Sequence, residues 1–212
     1  MPNVELTLEH FVEKFKKLTE MGWERTHRSG PTGIGKTLED LLSITENNIQ
    51  GPDFGIYELK SMRQNANSML TLITKAPDNP RRANTLLRHK FGYSSSIYDN
   101  EEKVLHATLS SQRFSPIANT GYKLKIESDL EHINIVSENG DIEAQWKIST
   151  LISKMDKKFG DQFILVRAAA RGAGPNEEFH FNEAFLLDGF NSSGIIKMVN
   201  EGKIVIDLRI GQ

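Results

Sequence analysis

Among the charged residues of one short stretch of this chain, three carboxylates and a lysine are expected to converge, and few folds can accommodate them. From Gly30 to Arg63 it reads GPTGIGKTLEDLLSITENNIQGPDFGIYELKSMR, carrying Glu39, Asp53, Glu58 and Lys60. Converging carboxylates repel one another and resist ionisation unless a cation or hydrogen bonds offset the crowding. The set Asp53-x4-Glu58-x-Lys60 therefore points to a bound divalent cation, and through it to hydrolysis of a phosphodiester.

The spacing predicts how these groups are carried. Lys36 to Asn47 is expected to be a helix with an apolar stripe of Leu38, Leu41 and Leu42, and Glu39 lies on its flank. Ile56 to Met62 reads as a strand, with Ile56, Glu58, Lys60 and Met62 on one face and Tyr57, Leu59 and Ser61 on the other. Asp53 has the opposite parity, and Gly55 permits the bend that would bring it back. Met69 to Lys75 is expected to pair with this strand through a hairpin turn at Gln64 to Ser68.

The chemistry follows from the residue types. Asp53 and Glu58 offer hard oxygen ligands suited to Mg²⁺, which binds carboxylates and substrate phosphate together. The metal set is read as Asp53, Glu58 and Leu59. Such an ion lowers the pKa of bound water and neutralises charge that builds on the phosphate. Lys60 is placed to orient that water or to share the charge, and Glu39 to complete the metal shell or hold the nucleophile. By spacing alone, the same letters also suit a solvated strand face with an Asp-led turn.

The remaining chain predicts a mixed α and β protein. Thr7 to Met21 has Leu8, Phe11, Val12, Phe15 and Leu18 at helical spacing and stops at Gly22. A helix is expected over Pro80 to Phe91. Strands are expected at Lys103 to Leu109, Gly121 to Glu127, His132 to Ser137 and Ile142 to Trp146. Ile148, Leu151, Ile152 and Met155 mark a helix, Phe163 to Ala169 a buried strand, Gly194 to Asn200 a short helix, and Lys203 to Ile210 a closing strand. Phe179 to Leu187 fits either type. The simplest organisation is one domain over 1–212, with a catalytic lobe of about 1–110 plus 160–212 and a smaller β-rich lobe of about 111–159.

Composition narrows the classes. Hydrophobic residues make up 38% and charged residues 25%, as in ordinary soluble globular proteins. No apolar run approaches the roughly 18 residues of a membrane span, and the first residues lack a signal-peptide core. The chain has no cysteine, which excludes disulfides and zinc–thiolate sites. A cytoplasmic protein without a membrane partner is expected. The formal charge is −2, so any grip on nucleic acid must come from local basic patches. Arg81 to Lys90, and Lys154, Lys157, Lys158, Arg167 and Arg171, are the candidates, and solvated surface charge is the plain alternative for each.

Gly30 to Thr37 also matches the nucleotide-binding pattern G-x4-G-K-S/T, and Lys203 to Asp207 resembles the apolar strand that would hold its magnesium. That loop must hang between a buried parallel strand and a helix. Trp23 to Ser29 is too polar for such a strand, so a P-loop ATPase is the rejected reading. The glycines are expected to lead a turn into the Glu39 helix, with Thr37 near its cap.

Pro52-Asp53 followed by Glu58-Leu59-Lys60 is the PD-(D/E)xK nuclease signature. Together with the Gly30–Ser61 block, LHATLSSQRF (Leu105 to Phe114), FHFNEAFLLDGF (Phe179 to Phe190) and EGKIVIDLRIG (Glu201 to Gly211), it resembles the MvaI/BcnI-type restriction endonucleases, relatives of the mismatch-repair nickase MutH. The resemblance implies a restriction-endonuclease-like fold, with a central mixed sheet flanked by helices and a cleft for double-stranded DNA. It further implies a Mg²⁺-dependent monomer, without an obligatory protein partner, that nicks each strand in turn at a short CCNGG-like site. Glu39 occupies the place of the helix-borne glutamate of that group. Similar enzymes continue past the last strand into a tail with further DNA contacts, whereas this sequence stops at Gln212.

Asp207 and Arg209 share one face of the closing strand. Arginine pairs with guanine and aspartate accepts from cytosine in the major groove, so together they can read a C·G pair. An ion pair on an edge strand is the alternative. Arg63 is a candidate phosphate clamp. His106 and His180 are read as structural histidines. A MutH-like strand nickase and a DNA-binding module without activity are the competing functions.

Overall fold

A computed structural model describes residues 7–44, 54–66, 69–95, 103–160 and 162–211. In chain order the elements are α1 (Leu8–Met21), β1 (Glu24–Arg25), α2 (Gly33–Leu41), β2 (Glu58–Arg63), α3 (Ala83–Phe91), β3 (Leu105–Leu109), β4 (Ser115–Pro116), β5 (Lys123–Ser128), β6 (His132–Ser137), β7 (Ile142–Lys147), α4 (Ile148–Phe159), β8 (Phe163–Arg171), β9 (Glu178–Leu187), α5 (Ser192–Asn200) and β10 (Ile206–Ile210). The chain divides into two compact units, Met1–Leu72 with Met155–Gly189, and Ile73–Lys154 with Phe190–Gln212. Strands β3 and β10 fall in the second unit, with β4 to β7. Among the described residues no helix is long and apolar enough to cross a membrane.

The first unit is built on a four-stranded sheet of order β1-β9-β8-β2. β2 runs parallel to β8, from Glu58 opposite Phe163 to Arg63 opposite Ala168, while β8–β9 and β9–β1 are antiparallel. The sheet is therefore mixed, as expected. One face is covered by α1 and α2, whose Phe11, Leu18, Ile34 and Leu38, with Leu42 just after α2, join Leu59, Ile164, Val166, Ala168, Phe179 and Phe181 in a single core. Thr7 starts α1, with its hydroxyl accepting from the His10 amide, and Gly22 leaves it at φ 81°.

The expected hairpin is corrected. Residues 69–75 form no strand, and the partner of β2 comes from far along the chain. Phe163 to Val166 is apolar on both faces, which suits a strand buried inside a sheet. The carbonyls of Thr74 and Lys75 instead accept from Lys154 and from the Trp146 indole, within the second unit. A run of hydrophobic residues beside a strand shows that pairing is available, but not which partner wins.

In the second unit β4-β5-β6-β7 form an antiparallel meander, and β10 pairs with β3 in a two-stranded ladder. The strand at Phe179 to Leu187, ambiguous in sequence, is β9. Its Phe179 and Phe181 are fully buried against the helices, while Phe185 is partly exposed.

Candidate active site

Strand β2 lies at the edge of its sheet, and its alternation decides the site. Leu59 turns into the core, so Glu58 and Lys60 must share the other face. Glu58 is only 7% exposed. Its Oε1 accepts from Lys60 Nζ at 3.2 Å, and Lys158 Nζ, near the end of α4, stands 3.6 Å from the same oxygen. A carboxylate buried alone would cost several kcal/mol, and the two ammonium groups offset that. Burial holds the Lys60 pKa below the ordinary lysine value, the Lys158 charge adds to the effect, and Glu58 opposes it.

Before Glu58 the chain turns at Gly55, with φ 61°, and closes with Phe54 and Tyr57 exchanging amide-to-carbonyl bonds of 2.8 Å each. Phe54 is fully buried, edge-on to Phe11. The chain is thus anchored one residue beyond Asp53, which itself lies outside the described residues. The helix expected over Lys36 to Asn47 ends at Leu41 with residues 42–43 in a turn, and its expected residues 45–47 also lie outside the described residues.

The donor chemistry on this face fits a hard divalent cation. The Glu58 oxygen that already attracts two ammonium groups would attract a metal in the same way, and Leu59 has a main-chain carbonyl to offer. Among the described residues no three acidic or histidine side chains gather as a metal site. The expected set requires Asp53.

Glu39 is carried by α2. It lines a cavity of about 350 Å³ with Arg28, Thr32, Lys36 and Ser61. The Ser61 side chain faces α2 at Gly35 and has the opposite parity to Glu58 on β2.

Arg63 is deeply engaged. Its Nε and Nη2 donate to the two carboxylate oxygens of Glu177 at 2.6 and 2.7 Å, and longer contacts reach the carbonyls of Gly30 and Pro31. The guanidinium also lies over the Phe179 ring. This fork ties the glycine-rich loop to β2, and Glu177 was not visible as its partner in sequence.

The P-loop reading fails on geometry. Among the described residues only Glu24–Arg25 precedes the loop as strand, and it is antiparallel to β9. Lys36 pairs with Asp40 at 2.8 Å within α2. Thr37 is corrected from cap to interior: the helix starts at Gly33, whose carbonyl accepts from the Thr37 hydroxyl at 2.8 Å, and Thr37 is fully buried. Gly33 is required there because a Cβ would stand 2.2 Å from the Arg28 carbonyl oxygen.

On β10, Asp207 and Arg209 share an exposed face and pair at 3.0 Å, and Thr108 of β3 donates to Asp207 at 2.7 Å. Arg209 lies opposite His106 in the ladder. His180 contacts the Thr19 carbonyl at 3.2 Å, consistent with a structural histidine.

The family model of the MvaI/BcnI restriction endonucleases matches residues 12–212. The chain belongs to the MvaI/BcnI restriction endonuclease family. Family membership makes it an endodeoxyribonuclease. The chain is similar to restriction endonuclease MvaI in a complex with cognate DNA substrate, at 32% identity over 96% of this chain and 84% of that one, with a TM-score of 0.80. It is also similar to MvaI in the absence of DNA, at 30% identity over 97% and 90% of the two chains, with a TM-score of 0.58. Comparison with curated proteins gave no match. In an MvaI/BcnI family member, the buried pair of Glu58 and Lys60 is the natural place to look for the chemistry.

Proposed function

We propose that the chain is a type II restriction endonuclease that binds double-stranded DNA and hydrolyses phosphodiesters at a short CCNGG-like site with Mg²⁺. It works in the cytoplasm as a monomer, without an obligatory protein partner, nicking each strand in turn. The observation that carries this reading is the Glu58–Lys60 contact of 3.2 Å on a buried face of an edge strand, in a chain of this family. The DNA-bound relative supports the choice of partner.

Asp53, Glu58 and the Leu59 carbonyl would hold the ion. When bound, Mg²⁺ supplies a lowered pKa for water and neutralises charge on the reacting phosphate. Lys60 orients the attacking water through its N–H donors and shares the charge that builds on the phosphate oxygens. Its burial keeps competing water away and strengthens that interaction. Asp207 and Arg209, on an exposed strand face, read a C·G pair through cytosine N4 and guanine O6 and N7.

Digestion of a plasmid of known sequence, with sequencing of the ends, tests the whole reading. Cuts confined to one short CCNGG-like sequence, present with Mg²⁺ and absent with a chelator, are expected. Scattered ends, or cutting that persists in the chelator, would contradict it.

A further inference from the structure

α4 ends Met155-Asp156-Lys157-Lys158-Phe159, and its buried stripe is Leu151, Met155 and Phe159. Lys157 is exposed, but Lys158 falls beside that stripe and is half-buried, which sends its side chain toward the sheet. Its ammonium reaches the Glu58 carboxylate at 3.6 Å, an ion-pair distance longer than a good hydrogen bond. Its side chain remains 43% exposed, against 11% for Lys60.

Two ammonium groups therefore converge on one carboxylate oxygen. Among the described residues one carboxylate thus faces two ammonium groups, and like charges so close repel unless further anions join them. A lone lysine near a helix C-terminus is usually explained by the helix dipole. That explanation serves Lys157 and Lys158 equally, and it does not account for Lys158 reaching Glu58. Lysine, a point charge on a flexible stem with three rotatable donors, suits an anion that arrives and leaves.

We propose that Lys158 is a further catalytic residue, whose ammonium contacts a non-bridging oxygen of the scissile phosphate beside Glu58 and Lys60. The inference rests on reading those two residues as the catalytic centre. Lys60 serves the water from the buried side, and Lys158 holds the phosphate from the exposed side.

The test uses the full chain, Lys158→Ala and Lys158→Arg, with a duplex carrying the site mapped by plasmid digestion. Binding is measured without metal over a range of salt, using that duplex and a copy with a neutral methylphosphonate at the scissile position. For Lys158→Ala the slope of log affinity against log salt is expected to flatten by about 0.9, the contribution of one lost phosphate contact. The methylphosphonate should weaken wild type and Lys158→Arg clearly more than Lys158→Ala. Single-turnover cleavage with Mg²⁺ should fall about 100-fold in Lys158→Ala, with partial recovery in Lys158→Arg.

An unchanged slope in Lys158→Ala overturns the proposal. So does a flattened slope with an undiminished methylphosphonate penalty, since Lys158 would then touch another phosphate. If Glu58→Ala and Lys60→Ala cut normally, the centre itself is misassigned. If those two fail to cut while Lys158→Ala binds and cuts as wild type, only the role of Lys158 falls.

Discussion

Glu58→Ala and Lys60→Ala should each lose at least about a thousand-fold in cleavage rate while binding the same duplex almost as well as wild type. Both side chains sit on one face of β2, in hydrogen-bond contact and largely out of solvent. Neither packs into the core on the opposite face, so truncation should leave the fold in place, with some loss of stability because the remaining partner's buried charge is less well paired. The two losses should not add, because the residues act on one reaction step. Single-turnover cleavage and metal-free binding, measured on the same preparations, check this. Substantial cutting by both variants would move the chemistry elsewhere. Loss of binding together with cutting would reveal a folding defect, which a thermal melt would detect.

Phe54→Ala should have the second large effect, this time on stability. The ring is fully buried, edge-on to Phe11 at 5.8 Å, in the core beneath the sheet. Truncating a buried phenylalanine leaves a cavity and costs about 3–5 kcal/mol. Urea denaturation should show that loss as a lower midpoint with little change in slope. Because the ring anchors the chain one residue after Asp53, cleavage should also fall at temperatures where the variant is still folded. Phe54→Leu, which refills most of the space, should recover both properties. An unaltered midpoint in Phe54→Ala would place the ring outside the core.

Much of β2 was legible because it needs only local rules. Alternation placed Glu58 and Lys60 together, and Gly55 marked a bend that the backbone makes at positive φ. The helical stripe of α1 and its stop at Gly22 were equally local. What could not be read depended on distant partners. β2 pairs with β8 rather than with Met69–Lys75, and nothing near residue 60 distinguishes these partners. The ion pair of Arg63 with Glu177 was not legible because its carboxylate partner is remote in sequence. Lys158 was visible only as one of several basic residues. Its position three residues after Met155 and seven after Leu151 was the available signal that it flanks a buried face. Gly33 was read as part of a turn, but the helix begins there because the Thr26–Arg28 segment packs too tightly for a side chain.

The central claim is that Asp53 and Glu58 share one metal ion with Lys60 at its side. A crystal structure of the full chain grown with Mg²⁺, with Mn²⁺ exchanged in to mark the ion by its anomalous signal, measures this directly. One ion bound to a carboxylate oxygen of each residue, at about 2.0–2.1 Å for Mg²⁺, is the expected result. Carboxylates turned apart, with no ion between them or with the ion bound elsewhere, would contradict it.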